Sequence, residues 1–392
     1  MKGMKYYALC IINFALLMLL SGCIEEFETD IPAKDTGLLV VEGRICSSEM
    51  NKFTLSRTQA MNSQDLPRMI TGATVSVRGS DGSEYKAQYA GGYYTCQIGP
   101  LEPDVEYYLH IETDGEVYES DPQKPLSTEG ITNVIGVQST PESNIDILIT
   151  PDAPFEPDQA NYYQWSYDET WEVRPEYRTD IYYDTDSLKP IRKTKQFPLR
   201  GWLDAQGTVI TVGSSTGYDD QHIQRLKVYD IDRGDERVYY KYSGLVHQRA
   251  ISKSEYEYEL ARRQASSEMG GLFTPLPSAL PTNIHCLTSD KHVIGYIGCS
   301  LNESQHRFIL KGTEYSIRYP TGGDTRVWLI DPSVSDCLEM VAKGMYLCQW
   351  DPPDWYEDHK VHSAWAYIHQ LDIRYKYKGA YIEAPDYWDE EY

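Results

Sequence analysis

Short runs of alternating apolar and polar residues recur along this chain, and each run predicts a β-strand. Clusters rich in Gly, Asp, Asn and Ser separate the runs, which in the N-terminal part stand at 38–42, 53–57, 73–78, 93–97 and 107–112. The Asp81-Gly82 pair is a hairpin signal, because glycine supplies the positive φ that a type I′ turn requires. This spacing predicts an N-terminal β-sandwich of the immunoglobulin or prealbumin kind over residues 36–127.

A second set of runs follows a proline-bearing linker at 121–125 and predicts a larger, β-sandwich-like domain over residues 128–392. These runs stand at 145–150, 162–173, 238–246 and 293–299. One segment has helical periodicity instead. A serine cap, apolar residues at helical spacing and a terminal Gly-Gly pair predict a helix near 252–269, packed on the surface of the sandwich. The predicted fold class is mainly β, with one inserted helix.

The N-terminus has the pattern of an exported lipoprotein. Two lysines precede an apolar run at 6–20, which is shorter than the roughly 20 residues that span a membrane, so residues 1–22 are predicted to be a signal peptide. Leu20-Ser21-Gly22-Cys23 has the spacing of a bacterial lipobox. We therefore expect Cys23 to be lipid-modified and to anchor the mature protein. The alternative is an ordinary signal peptide in which Cys23 is incidental.

Acidic residues outnumber basic residues both in the segment after Cys23 and in the whole chain. Glu25 and Glu26 begin an acidic stretch within residues 23–35, which resembles the export signal that places lipoproteins on the outer face of the outer membrane. The alternative is a solvated acidic tether. The chain carries 36 Lys and Arg against 59 Asp and Glu, a formal net charge of −23. This charge argues against nucleic acid as a partner and against adhesion to anionic lipid except through the acyl chains.

Six cysteines remain in an exported mature chain, and six cysteines allow fifteen disulfide pairings. Proximity in the sequence favours Cys46 with Cys96 and Cys337 with Cys348, the latter as arms of a hairpin, and leaves Cys286 with Cys299. No C-x2-C motif occurs, and His285, His292 and His306 do not stand at ligand spacing, so no metal site is predicted.

The chain carries no linear motif of a catalytic site. There is no nucleophile elbow, zinc-protease motif, phosphate-binding loop or dinucleotide fingerprint, so we predict no cofactor and no enzymatic activity. Glu169 with Glu172, and Asp184 with Asp186, are carboxylate pairs of the glycosidase type, although such pairs arise by chance among 59 acids. The alternative is a surface hydrolase of glycan or peptide whose site has no linear motif.

Aromatic residues near the C-terminus are the candidates for binding. They cluster around Pro352-Pro353 in a stretch with little strand regularity, and the candidates are Trp350, Trp355, Tyr356, Trp365 and Tyr367. Such rings offer a large, stiff contact area. The alternative is that these aromatics are core and edge residues of a sandwich.

Several motifs in their order resemble one bacterial family. They are Leu39-Val40-Val41-Glu42-Gly43, Gly72-Ala73-Thr74-Val75, the YQWSYDETWE run at 163–172, Pro281-Thr282-Asn283-Ile284 and Pro385-Asp386-Tyr387-Trp388. Together they resemble the Bacteroidota lipoprotein family called domain of unknown function 4249. The chain departs from that family at Gln370-Leu371-Asp372-Ile373-Arg374, where the family carries C-x-D-C-R, so no family disulfide can be transferred.

The resemblance implies a role in import across the outer membrane. Proteins of this family are typically encoded beside TonB-dependent outer-membrane receptors, which implies such a receptor as the partner. We therefore expect a non-catalytic binding or docking accessory of an import system, facing the cell exterior. The alternatives are the hydrolase above and a structural or adhesin lipoprotein.

Overall fold

The computed structural model describes residues 37–59, 68–193, 197–268 and 280–389, with only the backbone described at 264–268. The predicted signal peptide (1–22), the lipid-attachment residue Cys23 and the acidic tether (23–35) lie outside these ranges. Across these ranges the protein is mainly β, with several sheets and few helices. Within the described ranges, no helix is both long and apolar enough to cross a membrane.

The described part of the chain contains twenty-six strands and four α-helices. The strands before residue 138 are β1 (Leu39–Gly43), β2 (Ile45–Cys46), β3 (Met50–Arg57), β4 (Arg68–Met69), β5 (Thr74–Gly79), β6 (Glu84–Lys86), β7 (Gln88–Ala90), β8 (Tyr93–Gln97), β9 (Tyr107–Thr113), β10 (Glu116–Ser120) and β11 (Ile131–Val137). The remaining strands are β12 (Ile145–Pro151), β13 (Tyr162–Val173), β14 (Ile181–Asp184), β15 (Lys189–Arg192), β16 (Gly201–Gln206), β17 (Thr211–Ser214), β18 (Leu226–Ile231), β19 (Lys241–Ile251), β20 (Ile284–Cys286), β21 (Val293–Gly295), β22 (Cys299–Ser300), β23 (Ser304–Lys311), β24 (Val327–Ile330), β25 (Met345–Asp351) and β26 (His362–Tyr367). The helices are α1 (Lys253–Glu268), α2 (Val334–Ala342), α3 (Ile368–Leu371) and α4 (Ile373–Lys376). Helix α1 confirms the helix predicted near 252–269.

The N-terminal sandwich consists of two facing sheets. One has the order β21-β1-β3-β8-β7, with β4 beside β3, and the other has the order β20-β10-β9-β5-β6. Alternate residues of each strand point inward, as the period of two requires. They build one apolar core whose most buried members include Phe53, Leu55, Val77, Leu109 and Ile111.

Residues 284–300 complete this sandwich, although the predicted domain boundaries assign them to the region 128–392. Strand β20 pairs antiparallel with β10, β21 pairs parallel with β1, and β22 pairs parallel with β2. Close pairing of β21 depends on Gly295, which has φ +138° and whose added Cβ would lie 2.1 Å from the carbonyl oxygen of Val41. These strands are two or three residues long, so their pairing partners have no signal in the local sequence pattern.

A second sandwich follows in the middle of the chain. The three-stranded sheet β11-β12-β18 faces a sheet of order β16-β13-β19-β23, in which β17 also pairs with β13. Ile147 and Ile149 from β12 of the three-stranded sheet pack with Trp165, Tyr242 and Val246 from β13 and β19 of the facing sheet. The long strand β13 is buried at alternate positions along most of its length, which explains why its aromatic pattern was readable in the sequence.

A third unit, formed by residues 177–193, 197 and 324–376, contains the sheet β24-β26-β25. One face of this sheet packs on helix α2 and on the β14-β15 hairpin, with Cys337, Met345, Leu347 and Trp365 in the core. Helix α2 begins at a capping box in which Ser333 and Asp336 bond each other's backbone N–H groups. This helix was not predicted, because it spans only nine residues within a loop-like sequence.

All six cysteines after Cys23 are free thiols, so the structure forms none of the predicted disulfides. The pairing of Cys337 with Cys348 fails because successive residues of a strand point to opposite faces. Leu347 faces the core that holds Cys337, whereas Cys348 faces a separate cluster with Ala364 and Ala366. In the N-terminal sandwich, Cys46 and Cys96 have different partners, the hydroxyl of Ser300 and the carbonyl of Tyr85. Cys286 contacts Thr288 and Ser289, while Cys299 is buried in the core.

A chain of charged side chains joins the two sandwiches. Arg44, between β1 and β2, lies 2.9 Å from Glu303, which in turn accepts a hydrogen bond from Nδ1 of His247 at 2.8 Å. Nε2 of the same imidazole lies 2.9 Å from Asp168. The hydrogen bond with Glu303 raises the pKa of His247, and Asp168 adds to the effect, although burial opposes it. For Glu303, burial raises the pKa, but His247 and Arg44 overcome that effect and lower the pKa to about 2.

We expect these linked charged side chains to make the free energy of unfolding depend on pH. Because the pKa of His247 is raised in the folded state, its contribution is fully present below about pH 6.5 and is lost as pH rises through the folded pKa. His247→Gln should therefore lower the free energy of unfolding by about 1 kcal/mol or more near pH 5.5, with a much smaller effect near pH 9. Urea denaturation of both proteins across that range measures the difference. An equal loss of unfolding free energy near pH 5.5 and near pH 9 would contradict this account of His247.

Candidate functional site

The five aromatic residues predicted to bind do not lie on one surface. Trp365 is fully buried because β26 is the central strand of its sheet, and Trp350 on the neighbouring strand β25 packs against the same core. Trp365 is therefore a core residue, which corrects its prediction as a contact residue. Tyr356 is half-buried, stacks on His362 with ring centroids 3.9 Å apart and donates a hydrogen bond to Asp351. Only Trp355, 69% exposed, and Tyr367, 45% exposed, present their rings to solvent.

Exposed apolar side chains are nevertheless concentrated in this third unit. Between residues 327 and 375 nine large apolar side chains remain exposed, and they are Val327, Trp328, Ile330, Val334, Leu338, Tyr346, Trp355, Tyr367 and Tyr375. Single exposed apolar residues are ordinary on a protein surface, but a concentration of them marks interaction sites. We call this set the aromatic surface.

Strand β24 contributes the most ordered part of the aromatic surface. Among the described residues it pairs only with β26, so one of its edges carries unpaired backbone groups. The indole N–H of Trp328 donates to Asp324 at 2.7 Å, and the guanidinium of Arg326 lies 4.8 Å from the centre of the same ring. Hydrogen bonds from Arg326 hold the pKa of Asp324 well below its usual range. The ring is thus held in place before any ligand arrives.

Trp355 occupies the tip of the connection between β25 and β26. It ends a single turn of 3₁₀-helix, Pro353–Trp355, in which proline stiffens the backbone. Its neighbours Asp354, Glu357 and Asp358 are all exposed. A hydrogen bond from His362 lowers the pKa of Asp358, so this carboxylate stays ionised. Trp355 thus lies in an exposed segment that carries three carboxylates within three residues of it in the sequence.

Three of the four carboxylates considered for hydrolysis are engaged in structural contacts. Glu169 is buried and accepts hydrogen bonds from Arg237 at 2.6 Å and from the hydroxyl of Tyr242 at 2.8 Å. Glu172 is buried against Arg174, and Asp184 accepts from Ser187 in an exposed turn. Across the described part of the chain, no group of three or more His, Cys, Asp or Glu side chains is placed to hold a metal ion.

Sequence reasoning missed the strand β24 and its exposed tryptophan. The run Val327-Trp328-Leu329-Ile330 is continuously apolar, which by pattern alone describes a strand buried on both faces. Its position at the edge of a sheet is what leaves Trp328 and Ile330 exposed. The proline that follows at Pro332 is the one local sign that the strand ends there.

Comparisons with known proteins give a family and little more. A family model described as a domain of unknown function, DUF4249, matches residues 24–306. No curated protein matches. Among solved structures, the native conformation of E. coli alpha-2-macroglobulin is similar at 12% identity, over 57% of this chain and 14% of that chain, with a TM-score of 0.16. This chain thus spans about 14% of the length of that protein. Since the family match covers well over half of the chain, the protein belongs to the DUF4249 family.

Proposed function

We propose that this protein is a lipid-anchored surface protein that binds a partner without catalysis, as an accessory of a TonB-dependent import system of the outer membrane. The observation that carries the proposal is Trp355, which is 69% exposed at the end of a proline-containing turn in an acidic stretch of sequence. All nine residues of the aromatic surface lie beyond residue 306, outside the residues matched by the family model. Family membership therefore does not bear on this surface.

Trp355 has the properties of an interface anchor. Tryptophan is enriched among the few residues that carry most of the binding energy of an interface, because a large ring fills a pocket and leaves water behind. Its contact area comes at a small cost in side-chain entropy, since the ring has only two rotatable bonds. The proline turn lowers this cost further by fixing the backbone in advance.

The charge around Trp355 indicates the chemistry of the partner. Asp354, Glu357 and Asp358 place negative charge near it in the sequence, so a complementary partner offers an apolar pocket bordered by Arg or Lys. Charge complementarity of this kind speeds association and excludes acidic competitors. A body with a formal charge of −23 is repelled by an anionic membrane, which fits a tether made of acyl chains at Cys23.

The test uses the full-length protein purified in mild detergent with its membrane partners. We expect a stable complex with an outer-membrane receptor. We also expect Trp355→Ala to weaken that complex about 30-fold or more, because anchors contribute at least about 2 kcal/mol. The melting temperature should stay nearly unchanged, since the ring has few contacts to lose.

Phe155→Ala is the matched control, because Phe155 is 65% exposed and lies on the second sandwich, away from the aromatic surface. This variant should bind like the wild-type protein. Loss of binding in both variants, or in neither, would contradict the role of Trp355. Purification without any receptor would contradict the import partner.

A further inference from the structure

A cleft of about 650 Å³ opens at one end of the second sandwich, apart from the aromatic surface. Three elements wall it: the segment 208–212 leading into β17, the strand β18 at 227–230, and helix α1 through Glu259, Arg262 and Arg263. Tyr167 contributes to its floor. The volume lies in the range of small-molecule sites in proteins.

The cleft exists because two sheet edges meet without pairing. Within the described residues β17 pairs only with β13, and β18 pairs only with β12. A register shift in the β12-β18 pair leaves Val228 out of the ladder, and its carbonyl accepts a hydrogen bond from Thr211 at 2.5 Å. Bulges of this kind are frequent beside functional sites. The hydrogen bond between Thr211 and Val228 joins the two strand edges at that point, and the space beside it stays open as the cleft.

The floor is aromatic and rigid. The rings of Tyr167 and Tyr229 stack with centroids 3.7 Å apart and planes 8° from parallel. Tyr229 and Tyr242 share a hydrogen bond of 2.8 Å between their hydroxyl groups, and Tyr242 donates in turn to buried Glu169. Gly207 passes over the Tyr167 ring so closely that an added Cβ would lie 2.5 Å from it. Tyr167 and Tyr229 are only 6% and 4% exposed, so they form a closed, rigid base, and the apolar contact in the cleft falls mainly to Val209 and Ile210.

The rim combines exposed aliphatic side chains with one uncompensated cation. Val209 is 44% exposed and Ile210 is 40% exposed. Lys227 is neutralised by Asp146 and Asp230, and Arg262 by Glu259. Arg263 instead donates to the backbone carbonyl of Ile210 at 2.5 Å and forms no ion pair with any carboxylate in the described ranges. Its charge therefore remains available to an anion beside an apolar wall.

We infer that this cleft binds a small amphipathic anion. The flat or aliphatic body of the ligand packs against the Val209–Ile210 wall above the tyrosine floor, and its carboxylate pairs with Arg263. A guanidinium suits this role because its planar fork donates two parallel hydrogen bonds to a carboxylate. The inference concerns a different surface from Trp355 and does not depend on the proposed docking function.

The test is a fluorescence titration of the whole protein with dansylglycine, which carries a flat body and a carboxylate, and with neutral dansylamide. We expect dansylglycine to bind more tightly than dansylamide. Arg263→Gln should weaken dansylglycine binding about five- to tenfold and leave dansylamide unchanged, because it removes only the charged hydrogen bond. Ile210→Ser should weaken both probes, since both use the apolar wall.

Arg225→Gln serves as the control, because Arg225 is exposed and lies outside the cleft; its affinities should equal those of the wild-type protein. Both test positions are on the surface, so the variants should keep the wild-type melting temperature. Equal affinity of the wild-type protein for the two probes would overturn the inference. So would dansylglycine binding that neither Arg263→Gln nor Ile210→Ser weakens, or a Kd of about 1 mM or weaker for dansylglycine.

Discussion

Glu255→Gln is expected to lower the free energy of unfolding by about 3–5 kcal/mol, the range measured when one partner of a buried ion pair is removed. Glu255 lies in the first turn of α1 and accepts a hydrogen bond of 2.5 Å from Arg249 of β19. Their side chains are only 6% and 8% exposed. The substitution leaves the guanidinium of Arg249 buried without a counter-charge, with Gln164 as a neutral partner.

The position of Glu255 explains why the site cannot relax easily. Its carboxylate lies against Gly298, where an added Cβ would be 2.2 Å from Oε2. The pair therefore fastens α1 to the segment that leads into β22 of the N-terminal sandwich. Water cannot replace the lost carboxylate without moving these elements apart.

Glu257→Gln is the matched control, because Glu257 lies on the same helix and its side chain is 58% exposed. Its pair with Lys253 spans 3.8 Å on the surface, so the change should cost less than about 0.5 kcal/mol. Urea denaturation at neutral pH measures all three proteins. Similarly small losses of unfolding free energy for both variants would show that the Arg249–Glu255 pair does not hold α1 against the N-terminal sandwich.

Trp388→Ala should likewise lower the free energy of unfolding by about 3–5 kcal/mol, as other truncations of large buried rings do. Trp388 is 1% exposed and meets Trp202 edge to face, with centroids 6.0 Å apart and planes 83° from parallel. The same C-terminal segment bonds Trp202 through the backbone of Tyr381 and contacts Arg307 through the ring of Tyr387. Truncation therefore uncovers Trp202 on the outer side of the second sandwich.

Trp355→Ala is the natural control for this substitution, because it removes the same side chain from an exposed position. The two variants should separate clearly in thermal or chemical denaturation, with Trp388→Ala the less stable. Equal stability would mean that the C-terminal segment does not hold the sheet as described.

Local pattern predicted the helix α1 and the sandwich strands β1, β3, β5, β8, β9, β12, β13 and β19, because these elements show their own periodicity. It missed other strands of the same sheets, among them β10, β18 and β23. Strand β13 and helix α1 are the clearest cases, with 12 and 16 residues. Residues 284–300 return to the first sandwich through strands of two or three residues, and such pairing depends on contacts distant in sequence. Cysteine spacing failed for the same reason, since the face of a strand decides which thiols can meet.

The candidate site shows the same limit. Composition identified the C-terminal aromatics as a group. Trp365 lies in the core because β26 is the central strand of its sheet, whereas Trp355 is exposed in the connection between β25 and β26. The cleft beside α1 arises where two unpaired sheet edges meet. No local sequence pattern predicts this cleft, because its walls come from residues near 167, 210, 228 and 262, which lie far apart in the sequence.

The most direct test of the docking account is photo-crosslinking at position 355 in intact cells. A photoreactive phenylalanine derivative placed at residue 355 keeps an aromatic ring at the tip of the turn, and the same derivative at Phe155 is the comparison. The account predicts an adduct between position 355 and an outer-membrane receptor, with none from position 155. No adduct from position 355, or the same adduct from both positions, would contradict it.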